Sequence, residues 1–176
     1  MQGTGNRGVA ASRRHFLKRT ATAAALAGAT FATRRGGAAP GPNDTVNLAL
    51  IGCGARGVKQ VMRKFLTLPD AQMVAVCDLN TERLAAAREE AGGSKIAAYQ
   101  DYRKLMENKD IDAVIVATQA HWHVLPTIAA CQAGKDVYLE KPVGNFIAEG
   151  RAVIEAAKKY DRIVQIGTQQ RSEEHY

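Results

Sequence analysis

No acidic residue occurs before Asp44, although the chain holds 17 Asp and Glu. Of its 24 Lys and Arg, 17 lie after Ala39 and balance those acids, so the formal charge of +7 (24 − 17) belongs wholly to the amino-terminal segment. A nucleic-acid binder carries its basic patch on the folded part, and that class is excluded. Cysteine is scarce too. Cys53, Cys77 and Cys131 are odd in number and form no CxxC or metal-ligand spacing, which excludes a disulfide framework and a zinc site. They read as small buried side chains. A run of roughly 20 apolar residues, the length of a bilayer span, is also lacking. What remains is a chain of 176 residues, 46% hydrophobic, enough for one globular domain.

The leader has a form of its own. Ser12-Arg13-Arg14-His15-Phe16-Leu17-Lys18 precedes an Ala-rich apolar stretch from Ala21 to Ala32. A basic segment before a short apolar one is the form of an export signal. The string resembles a twin-arginine signal. The resemblance implies that residues 1–32 are a signal peptide read by the twin-arginine translocation machinery. It also implies a periplasmic or other extracytoplasmic location for a protein exported folded, with its cofactor bound. Cleavage would follow Ala32 or Ala39, and retention of the leader as a membrane anchor is the alternative. Residues 33–44, rich in Gly, Ala, Pro and Asn, read as a flexible linker.

Chemistry begins at Thr45. Thr45 to Ile51 is a β-branched and apolar run suited to a buried parallel strand. Gly52-Cys53-Gly54-Ala55-Arg56-Gly57 follows at once and leads into a helix from Val58 to Leu66. In this GxGxxG loop Gly52 permits the tight turn. Gly54 lets a pyrophosphate approach the backbone, and Gly57 lets helix and strand pack closely. Amides from Ala55 onward can hold the diphosphate, and Arg56 adds charge beside it or lies toward the adenine. A second strand, Met73 to Cys77, ends at Asp78, 21 residues beyond Gly57 (78 − 57). An acid there accepts hydrogen bonds from ribose hydroxyls and repels a 2′-phosphate, favouring NAD over NADP. Arg83 is close enough in sequence to offer a phosphate partner and leaves that preference open.

Strands and helices then alternate. A helix is expected over Thr81 to Ala91, a strand over Lys95 to Tyr99, and a short helix over Asp101 to Asn108 capped by Asp101. Asp112 to Thr118 reads as a central strand, and His123 to Gln132 as a helix ended by Gly134. A strand over Asp136 to Glu140, a helix over Phe146 to Tyr160 and a strand over Arg162 to Ile166 complete the pattern. This is the signature of an α/β, Rossmann-type, doubly wound parallel sheet with helices on both faces. Ligands of such sheets bind beyond the carboxyl ends of the strands. Gly52, Asp78, Thr118 and Glu140-Lys141 all fall at strand ends, and so point to one shared site.

Glu140-Lys141-Pro142, preceded by Ala133-Gly134-Lys135-Asp136-Val137, resembles the Gfo/Idh/MocA family of NAD(P)-dependent oxidoreductases, over roughly Asn43 to Gln170. The resemblance implies hydride transfer between nicotinamide and a hydroxyl of a sugar-like or cyclitol substrate. Lys141 would be the catalytic residue beside nicotinamide and substrate, and a cis bond before Pro142 would fix how it projects. It also implies cofactor contacts for Thr118, His123, Glu140 and Lys141. Thr118-Gln119-Ala120-His121-Trp122-His123 departs from the family's Thr-Pro-Asn-x-x-His at Gln119 and Ala120. For His123 a packing or capping role and a cofactor contact both stay open, and no metal site is expected. The family carries a second, substrate-binding domain. Here residues 45–168 are expected to be the dinucleotide domain and residues 169–176 the start of the crossover, with that second domain absent. A full-length form could be a homo-oligomer. Two alternatives remain, the matching half of an NAD-dependent glycoside hydrolase and a non-catalytic nucleotide-binding module.

Overall fold

The computed structural model describes residues 45–172; the leader lies outside them. Strand β1, Val46–Ile51, leads through the glycine loop into helix α1, which opens with π spacing over Arg56–Met62 and closes with an α turn over Arg63–Phe65. Then follow β2 (Ala71–Cys77), α2 (Thr81–Ala91), β3 (Ala97–Tyr99), α3 (Tyr102–Met106) and β4 (Ala113–Val116). After a 3-10 turn at Ala120–Trp122 come α4 (Val124–Gln132), β5 (Asp136–Glu140), α5 (Ile147–Lys159) and β6 (Val164–Gly167). The expected alternation is present throughout. Bounds shift by up to a few residues: β2 starts two residues earlier than expected, β3 and β6 start two later, β4 ends two earlier, and α3 is confined to five residues.

The six strands form one parallel sheet in the order β3-β2-β1-β4-β5-β6. This is the doubly wound order in which successive connections run outward in opposite directions from β1 and β4. Side chains alternate between the faces of a strand. Leu48 and Leu50 of β1 therefore pack with Val58, Met62 and Leu84 from α1 and α2. Ala49 and Ile51 pack on the other face with Leu105, Ala130 and Ala156 from α3, α4 and α5. Leu50, Met62, Leu105 and Leu139 are wholly enclosed, and each such side chain contributes about 2 kcal/mol.

Local signals set the ends of the helices. Asn80 caps α2 by accepting the Arg83 amide, and Asp101 caps α3 by accepting that of Arg103. Glu149 reaches back from the first turn of α5 to the amides of Asn145 and Phe146. Gly134, at φ +75°, follows α4 as a left-handed terminator. All three cysteines are free and buried.

One expectation is corrected. The sequence points to a location outside the cytoplasm, with the leader retained as a membrane anchor as the alternative to cleavage, and it is the anchor that is corrected. Among the described residues no helix is long and apolar enough to cross a membrane, and residues 1–32 are not among them.

Candidate functional site

The carboxyl ends of β1, β2, β3 and β4 surround a cleft of about 570 Å³. Gly52 leaves β1 at φ +98°, with its amide donating to the Cys77 carbonyl at 2.9 Å. A Cβ there would lie 2.6 Å from the Ala117 carbonyl oxygen, so the turn has room only for glycine. At Gly57 a Cβ would stand 2.2 Å from the Gly52 carbonyl oxygen; the missing side chain is what lets α1 close on β1. Gly54 is the opposite case. A Cβ there meets nothing within 4 Å, and Gly54 lines the cleft, so a side chain would project into open volume over the loop.

Asp78 completes the near wall. Its Oδ2 accepts the Cys53 amide at 2.7 Å and its Oδ1 accepts the Asn80 amide at 2.8 Å. A carboxylate oxygen has two lone pairs, so each retains acceptor capacity toward the cleft that Asp78 lines. Beneath it, burial pushes the thiols of Cys53 and Cys77 up to about 12, with the Asp78 charge acting in the same direction. Both thiols remain protonated, and Cys77 lines the cleft.

The second half of the site lies at β5. Glu140 is buried, and its carboxylate is held from two sides. Arg56 Nη2 donates to Oε1 at 2.9 Å, and the Lys141 amide donates to Oε2 at 3.1 Å. Tyr138, on the same strand, has its phenol held above its ordinary range by burial and by the Glu140 charge. The Lys141–Pro142 peptide is cis, as the family resemblance implied. The Lys141 side chain is exposed. His123, at 2% exposure, has Nε2 at 3.0 Å from the Thr118 carbonyl and Nδ1 against that of Pro142. It ties the loop after β4 to the carbonyl of Pro142, the residue after Lys141.

The residues singled out from sequence therefore separate into two groups. Gly52, Gly54, Ala55, Arg56, Asp78 and Thr118 line the cleft. Gly57 lies in the β1–α1 contact, whereas His123, Glu140 and Lys141 form the adjoining assembly at β5. Arg56 belongs to both, because its guanidinium turns to Glu140. Sequence reading missed Asn80 and the Gln100–Arg103 stretch, which close the far side of the cleft. The rule that flagged Gly52, Asp78 and Thr118 applies to Gln100 as well, since it stands just past the end of β3.

The cleft fits a dinucleotide. The Val58 amide already donates to the Gly54 carbonyl at 3.0 Å, whereas the Arg56 and Gly57 amides precede that ladder and are available to an anion. Space is open above Gly54, and Asp78 lines the same cleft with free acceptor capacity. Among the described residues no cluster of His, Cys, Asp or Glu could hold a metal ion.

Comparisons with known proteins agree with this geometry. Residues 46–168 match the model of the Gfo/Idh/MocA oxidoreductase family, described as an NAD-binding Rossmann fold. The chain is 33% identical over 133 residues to inositol 2-dehydrogenase of Salmonella typhimurium, covering 75% of this chain and 39% of that protein. It is 37% identical over 123 residues to glycosyl hydrolase family 109 protein 1 of Bacteroides fragilis, covering 66% of this chain and 26% of the other. The WlbA dehydrogenase of Bordetella pertussis, solved with NADH and UDP-GlcNAcA, superposes with a TM-score of 0.68 at 25% identity, covering 76% of this chain and 38% of that one. The chain thus spans well under half the length of these relatives. By its motif, its strand order and its match over residues 46–168, the chain belongs to the Gfo/Idh/MocA oxidoreductase family, and the matched part is its NAD-binding Rossmann domain.

Proposed function

We propose that this domain is the nucleotide half of an oxidoreductase that moves hydride between NAD and a carbon bearing a hydroxyl, in a sugar-like or cyclitol substrate. The observation that carries the reading is the placement of the glycine loop, Asp78 and the Glu140-Lys141 peptide along one edge of a single sheet. Residues 45–168 are assigned to dinucleotide binding, and residues 169–176 to the start of a crossover toward a substrate domain.

Each residue has a separate task. The amides opening α1 hold the diphosphate, and Asp78 accepts from ribose hydroxyls. Thr118 bounds the cleft beside the nicotinamide end. When bound, NAD supplies the hydride acceptor. Lys141 Nζ takes the proton of the substrate hydroxyl in the oxidative direction and returns it in the reductive one. His123 and Glu140 fix the backbone on either side of Lys141, so that its side chain reaches out from a defined peptide.

A second reading is supported by the likeness to the Bacteroides fragilis glycosyl hydrolase. In it the same half serves glycoside cleavage, with the nucleotide recycled in each turnover. Calorimetric titration of the chain with NAD and then NADP tests the shared core. Saturable NAD binding that is weakened in Asp78→Ala supports both readings, and no binding to a folded sample rejects both. Joined to a relative's substrate domain, the first reading gives net NADH from cyclitols or free sugars. The second gives glycoside cleavage without net NADH. Tight NAD binding with neither activity would leave a non-catalytic binding module.

A further inference from the structure

Arg56 stands at the start of α1 in the glycine loop, yet its guanidinium is committed away from the loop. Nη1 contacts Gln60 on the next turn of α1, and Nη2 reaches Glu140 Oε1 at 2.9 Å. The Arg56 side chain is 37% exposed, whereas that of Glu140 is 3% exposed. A carboxylate so enclosed needs a compensating charge. Among the described residues Arg56 makes the only ion pair to it. The other oxygen of Glu140 receives the Lys141 amide. Gly167 lies beside this point: a Cβ there would stand 2.8 Å from Tyr138 Oη and 3.2 Å from Glu140 Oε1, so the absence of a side chain leaves the carboxylate its place.

We propose that Arg56 is a positioning residue for Lys141. It holds Glu140 in the orientation that receives the Lys141 amide, and so sets the lysine-bearing peptide from within the nucleotide loop. This assignment rests on the proposed role of Lys141 in the oxidoreductase reading. It has a definite direction: the loop that receives the dinucleotide also orders the group that works beside it. Arg56 and Glu140 are 84 positions apart in sequence, and Lys141 is the residue that follows Glu140.

The test uses the whole chain as wild type, Arg56→Gln, Arg56→Lys, Glu140→Gln and the double variant Arg56→Gln/Glu140→Gln. Amide exchange at Lys141 is read by NMR, with amides of β1 and β4 as controls for folding. Arg56→Gln should speed exchange at Lys141 at least about tenfold while the controls hold. Arg56→Lys should restore most of the protection. The double variant should add less than about twofold to the faster single one, as expected for a coupled pair. The Lys141 Cε resonance gives a second readout. Its shift on adding NAD should be lost in Arg56→Gln and recovered in Arg56→Lys. Unchanged Lys141 exchange in a folded Arg56→Gln, with weakened NAD binding, would overturn the proposal and leave Arg56 to the diphosphate. If Arg56→Gln loosens the β1 and β4 amides too, Arg56→Lys and Glu140→Gln decide. Lys141 exchange equal to wild type in folded Glu140→Gln, with no Lys141 effect in Arg56→Lys, would also overturn it. If wild type fails to bind NAD, the oxidoreductase reading falls while the exchange measurements still judge the Arg56 contact.

Discussion

The carboxylate of Asp78 accepts the backbone amide of Cys53 at 2.7 Å, binding the glycine loop of one strand to the end of the next. One side chain thereby shapes the nucleotide loop and presents its remaining lone pairs to the cleft. Removing it removes both. Asp78→Ala should weaken NAD binding about 10–100-fold, the scale of one or two hydrogen bonds to a charged acceptor. Asp78→Asn, which keeps one acceptor, should fall between that and wild type. Titration calorimetry reads the series, and equal affinity in all three would refute the assignment.

Two glycines three residues apart should respond in opposite ways to the same methyl group. At Gly57 the added Cβ strikes the Gly52 carbonyl, so Gly57→Ala should lose about 2–3 kcal/mol in urea unfolding. At Gly54 the Cβ meets nothing, so Gly54→Ala should keep its stability within about 0.5 kcal/mol. That methyl group nevertheless occupies the approach of the diphosphate, and NAD affinity should drop at least about tenfold. A Gly54→Ala protein with full NAD affinity would show that the diphosphate does not sit over the loop.

The buried thiols predict a pH dependence. Cys53 and Cys77 are raised from 9.0 to about 12, first by burial and then by Asp78. The folded chain retains these protons where the unfolded chain releases them. Their contribution to stability is therefore complete below pH 9 and declines as pH rises toward 12. At pH 8 only about one thiol in ten thousand at such a site is thiolate. A disulfide reagent should react with Cys53 and Cys77 only as the chain unfolds. Stoichiometric labelling of either in the native protein at pH 8 would contradict the burial.

Lys135, at 3% exposure, donates to the Asn108 carbonyl at 2.6 Å and the Ile111 carbonyl at 3.0 Å. Burial lowers its pKa, with Asp112 and Asp110 opposing. Lys135→Met would leave both carbonyls without that donor and should cost about 2 kcal/mol in urea unfolding. NAD affinity should be retained, because Lys135 lies at the amino ends of the strands, away from the cleft.

Much of this was legible in the residues. The spacing from Gly52 to Asp78 combines a tight turn, a helix start and a strand end, each with a local chemical requirement, and the structure brings them to one cleft. The run from Asp112 to Thr118 marked a central strand because both of its faces are apolar. What stayed hidden depends on contacts remote in sequence. Nothing near Arg56 shows that its partner is Glu140, since a guanidinium suits a diphosphate as well as a carboxylate. His123 likewise carries no local sign that both ring nitrogens meet carbonyls from different loops. The π spacing of α1 has no signature in its residues, and Gln100–Arg103 was overlooked because β3 is only three residues long.

The buried lysine at the opposite end of the sheet gives the fold a division of labour. Lys135 fastens the turn that follows α3 to the approaches of β4 and β5, where no ligand contact has been assigned. Strand register is thus secured at one edge of the sheet, while the cleft opens at the other.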